Sequence, residues 1–152
     1  MNNHLCWLPE NFVPEKVDIK KLKHRVFRYA YNIIPLAYNA RIYPKFASKF
    51  KKDYEGNDIS FDLQGFKAFQ EHKVLLLQII KEFAPNSSVL QEFQSVINLV
   101  NAMQTVALKY NMTKRNKEKA IETICDALYK LRIEEPKIMK KFYRELKSIS
   151  QE

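Results

Sequence analysis

Two glycines in 152 residues leave this chain few ways to turn tightly. Loops that cradle phosphate need several glycines at fixed offsets, because the backbone must approach the anion and take positive φ. Gly56 and Gly65 stand alone, so Walker and dinucleotide-binding loops are excluded. All-β architectures are disfavoured on the same ground, since tight hairpins favour Gly or Asn-Gly at the turn. The one Gly-Asn pair, Gly56-Asn57, lies in a single loop within DYEGNDISF.

Apolar spacing then predicts an all-α, single-domain bundle of about five to six helices over residues 15–152. Ile19, Leu22, Val26, Tyr29, Ala30, Ile33 and Ala37 recur at steps of three and four, which stacks them on one helical face. Pro35 lies inside that pattern and predicts a kink or break near Asn32 to Ile34. Phe46, Ala47, Phe50 and Tyr54 mark a second short helix. A third spans about Leu63 to Phe83, and its apolar middle, VLLLQII, suggests the centre of the bundle. Ser88 and Gln91 fit a capping box for a fourth helix, with Leu90, Phe93, Val96, Ile97, Val100, Met103 and Ala107 at core spacing. Thr113 is read as the cap of a fifth helix burying Ala120 through Leu131. Pro136 is read as the first residue of a sixth, burying Ile138, Phe142, Leu146 and Ile149.

Residues 1–14 are apolar but broken by Pro9 and Pro14, and read as an extended arm carrying Trp7. They lack the basic start and small-residue cleavage site of a signal peptide. The run from Val74 to Ile80 falls far short of the roughly 20 apolar residues of a membrane span. Cys6 and Cys125 are too few for a disulfide framework and match no zinc or CxxC spacing, so a reducing, cytoplasmic compartment is expected.

The net charge of +9 is segregated. Residues 1–52 carry 11 Lys+Arg against 3 Asp+Glu, residues 53–108 carry 3 against 7, and residues 109–152 carry 12 against 7. Helical phase places Lys21, Arg25 and Arg28 on one outer stripe beside Tyr31, Lys45, Lys49 and Lys52 on another that Arg41 joins only if the helix continues through Pro44, and Lys137, Lys140, Lys141 and Arg144 on a third. Cations on rigid helices release condensed counterions when they neutralise phosphates. The expectation is a non-enzymatic accessory subunit that binds the RNA or DNA backbone without strong sequence specificity.

A second expectation comes from Phe93 to Leu108, where no charged residue occurs. Gln94, Asn98, Asn101 and Thr105 share one stripe there, and interface cores are depleted of charge. With Trp7, these residues are the candidate contact with a protein partner or a second copy of the chain.

Catalytic and metal chemistry find little support. The histidines, His4, His24 and His72, form neither HExxH nor Glu-x-x-His. Glu118, Glu122 and Asp126 share a helical face but have basic neighbours, which favours a salt-bridged surface. Cys125, beside Ile124 and Leu128, reads as a small core residue. No catalytic residue, metal ligand or cofactor is assigned.

Overall fold

Asp18 starts the first helix. Its carboxylate accepts from the backbone amides of Lys20 at 2.9 Å and Lys21 at 3.3 Å, satisfying two of the amides that a helix start leaves unpaired. The computed structural model describes residues 18–33, 40, 42–57 and 59–149; the arm with Trp7, as well as Pro35 and Arg41, lies outside the described residues. Among the described residues five helices follow in order: α1 (Ile19–Ala30), α2 (Ile42–Tyr54), α3 (Leu63–Phe83), α4 (Ser88–Thr113) and α5 (Lys117–Lys147). Among the described residues there is no strand. The chain is an all-α bundle.

The end of α1 has a local cause. Asn32 takes φ 56°, Ile33 donates its amide to the Arg28 carbonyl at 2.9 Å, and Asn32 donates to Tyr29 at 3.3 Å. This is a Schellman stop, in which an Asn tolerates the left-handed position. It halts the helix five residues before Pro35. Ile33, expected on the core face, is 52% exposed.

Packing corrects three expectations. The fifth and sixth helices are one: α5 runs through Pro136, which is buried in its interior. Pro removes one intrahelical hydrogen bond and costs about 3 kcal/mol. The spacing Ile124, Leu128, Leu131, Glu135, Ile138, Phe142 nevertheless keeps one phase across it, and all six side chains are buried. Each apolar member contributes roughly 1.5–3 kcal/mol by burial, so the continuous stripe outweighs the break. Second, the cap of α4 is Ser87, which accepts from Val89 N at 3.0 Å, and the start of α5 is Asn116 rather than Thr113. Third, α3 is not central. Helix α5 packs on α1, α2 and α4, while α3 packs mainly on α4. Within VLLLQII, Leu75 is 54% exposed and only Ile80 is buried.

One end of the bundle is closed by aromatic rings. Phe50 of α2 lies 5.0 Å from Phe61 and 5.7 Å from Phe66, and Phe61 lies 4.6 Å from Tyr110 of α4. Asn111 fastens the segment before α3, accepting from Phe61 N at 2.8 Å and donating to Phe61 O at 2.9 Å.

Candidate functional site

The basic residues of α1 and of the C-terminal half of α5 are neighbours. Phe27 of α1 sits 5.1 Å from the Tyr143 ring of α5, and Tyr31 meets the same ring edge-on at 6.4 Å. Lys140 places its ammonium 4.9 Å from the Tyr31 ring centre and Lys147 lies 5.1 Å from that of Tyr143, both cation–π contacts. Lys23 donates to the Ile149 carbonyl at 2.9 Å, closing the far end of the same seam. The result is an open groove whose walls include Lys20, Lys21, His24, Arg25 and Tyr143.

Within this groove Lys21 and Arg25 are exposed and form no ion pair among the described residues. Arg28 is half-buried, and Tyr31 is 42% exposed. The stripe predicted on α5 splits. Lys141 turns to α4 and pairs with Glu92 at 2.9 Å, and Lys137 approaches Glu134 at 3.8 Å. Lys140 faces α1, and exposed Arg144 donates to the Lys140 carbonyl at 3.4 Å. The exposed lysines of α2 stand apart: Lys49 pairs with Asp53 at 2.7 Å, while Lys45 and Lys52 point to solvent. Among the described residues, none of these lysines lines the α1–α5 groove.

The uncharged stripe of α4 is partly used inside the chain. Asn101 accepts from Gln70 of α3, and Gln94 donates to Asn98 at 3.2 Å. Gln94, Asn98 and Thr105 are exposed, and the stripe continues through Leu108 and Met112, 46% and 77% exposed.

Sequence reasoning missed the most polar feature of the interior. Lys73 of α3 and Glu135 of α5, 1% and 0% exposed, form an ion pair at 2.7 Å. The other Glu135 oxygen accepts from Tyr43 of α2 at 2.8 Å and from Tyr29 of α1. Lys73 also donates to the Tyr29 hydroxyl at 2.8 Å. Four helices therefore meet at one carboxylate. Burial, then the Glu135 charge, pushes both tyrosines well above their ordinary range, so both stay protonated as donors. Burial pulls Lys73 below its ordinary value, against the opposing pull of Glu135. A signal existed: Phe66, Lys73 and Ile80 are seven apart, and all three are buried.

His72 borders this cluster, its ring 6.1 Å from that of Tyr29. Burial, helped by the Lys73 charge, lowers its pKa from 6.5 to about 4. The unfolded chain thus takes up a proton that the folded chain refuses between those values, so stability falls as pH drops from about 6.5 to about 4. The loss is at most about 3 kcal/mol and nearer 1–2, because water still reaches part of the ring. Urea unfolding at pH 7 and pH 4.5 should show a smaller difference for His72→Asn than for the native chain; an equal difference would assign the acid sensitivity elsewhere.

Cys125 is half-buried with its Sγ 3.6 Å from the Ala47 carbonyl, and burial pushes its thiol up, away from nucleophile chemistry. Among the described residues no group of three His, Cys, Asp or Glu side chains is placed to hold a metal ion, and no helix is long and apolar enough to cross a membrane. Comparison with protein-family models, curated proteins and solved structures finds no match to this chain.

Proposed function

We propose that this chain is a non-enzymatic accessory subunit that binds the phosphate backbone of RNA or DNA through α1 and the C-terminal half of α5. The observation that carries the reading is the pairing of two basic helices around Tyr31 and Tyr143, with Lys140 and Lys147 on one side and Lys21 and Arg25 on the other. Cations fixed on packed helices lose little conformational freedom when they meet phosphates, and they release counterions from the strand. An exposed tyrosine between them offers a stacking surface to an unpaired base. Lys137, Lys141 and Lys49, each already paired with a carboxylate, contribute less than their charge suggests.

The test is binding to single- and double-stranded RNA and DNA of mixed sequence across a salt series. With four phosphates engaged, log K falls against log salt with a slope of about −3 to −4. Lys21→Glu combined with Arg25→Glu abolishes binding while circular dichroism stays native, because both side chains are exposed. Tyr31→Ala weakens single-strand binding by roughly 1–3 kcal/mol and leaves duplex binding alone. An absence of binding at low salt, or a flat salt dependence, rejects the proposal.

The second reading, an adaptor or effector that meets a protein partner through α4, draws support from the uncharged stripe from Gln94 to Met112, which ends in two exposed apolar side chains. It is the reading left if the salt series is flat.

A further inference from the structure

Helix α2 packs on α5 and α3 packs on α4, and a cavity opens between residues of α2 and α3. Its volume is about 190 Å³, and its walls include Tyr43, Phe46, Phe66, Phe69, Met103 and Lys73. An engineered apolar cavity of about 150 Å³ stays dry and takes up benzene. This one has room for a single aromatic ring with a short substituent.

Among the described residues of the wall, Lys73 supplies the one charged donor. Its ammonium carries three protons, of which Glu135 at 2.7 Å and the Tyr29 hydroxyl at 2.8 Å take two. Among the described residues the third meets only ring faces, with centres at 5.0 Å for Phe69 and 5.2 Å for Tyr43. A buried donor with a spare proton gains from an acceptor oxygen placed next to it. Glu135 already balances the Lys73 charge, so a carboxylate ligand would enter as an uncompensated buried anion.

Gly65 lies at the rim. Glycine in a helix costs about 1 kcal/mol against alanine, yet a Cβ at Gly65 would meet nothing within 4 Å. No close approach by neighbouring atoms requires glycine there; its effect is to leave the cavity rim open.

The structure assigns to this cavity a binding site for a small, neutral, mainly apolar molecule with one hydrogen-bond acceptor, such as an aryl ketone. The ring occupies the space between Phe46, Phe66 and Met103, and the carbonyl oxygen accepts from Lys73.

Acetophenone, toluene and benzoate serve as probes, titrated into the full chain and followed by carbon–proton NMR of the Met103 methyl and the phenylalanine rings. Acetophenone saturates and shifts Met103, toluene binds at least about tenfold more weakly for want of the acceptor, and benzoate does not bind. Gly65→Leu fills the rim, removes acetophenone binding and melts no lower than the native chain, because the site has space and leucine favours helix. If Gly65→Leu melts low, Ala68→Leu, also on the wall, takes its place. No saturable shift at Met103, equal affinity for toluene and acetophenone, or undiminished binding in the filled variant would each overturn the assignment.

Discussion

Glu135→Ala is expected to destabilise the fold by about 3–5 kcal/mol, the usual cost of removing one partner from a buried ion pair. The loss exceeds that of any single hydrogen bond here because Glu135 receives three groups at once. Tyr29, Tyr43 and Lys73 would all be left inside without their acceptor. Lys73 is the costliest of the three, since burial already disfavours its charge. Its folded pKa lies below the unfolded 10.5, so the unfolded chain holds a proton more readily and stability rises with pH through that interval. Without Glu135 the interval widens, and Glu135→Ala regains stability on going from pH 7 to pH 9 more steeply than the native chain. Lys73→Met combined with Glu135→Leu should recover the part of the loss that comes from the unpaired ammonium, and not the part that comes from the Tyr29 and Tyr43 hydroxyls left without an acceptor. Guanidinium unfolding of the native chain, the single variant and the double variant reads this directly. A single variant within 1 kcal/mol of native, or a double variant as unstable as the single, would show that the pair is not the joint of the bundle.

That joint was half legible. Glu135 falls on the same three-four spacing as Leu131 and Ile138, and Lys73 on the same seven-residue line as Phe66 and Ile80, so phase alone puts both inside. Residue type argues the opposite way, because Lys and Glu are almost never fully buried unless paired. Pairing across 62 positions of chain depends on how α3 and α5 cross, which periodicity does not encode. The basic faces show the same division. That Lys21 and Arg25 share a stripe follows from 100° per residue, but that Lys140 lies over Tyr31 depends on α1 settling against α5. Pro136 misled for a related reason: its local preference marks a helix start, while the buried stripe on either side holds α5 together.

The largest error about the core, the central place given to VLLLQII, leads to the second large effect. Phe142→Ala should cost about 3–5 kcal/mol, because its ring is fully buried on α5 and the helices around it cannot close the space left behind. Leu75→Ala should stay within about 0.5 kcal/mol, since that side chain is already more than half exposed and little surface changes hands. A reading by hydrophobicity alone ranks the two the other way, as Leu75 sits in the most apolar run of the chain and Phe142 directly follows Lys140 and Lys141. What decides is the partner each face finds. The stripe of α5 is covered by α1, α2 and α4, whereas α3 leans mainly on α4 and leaves Val74 and Leu75 toward solvent. Denaturation midpoints for the two variants, compared at unchanged slope, measure the difference. A Leu75→Ala loss matching that of Phe142→Ala would mean that the exposed side of α3 is covered in solution.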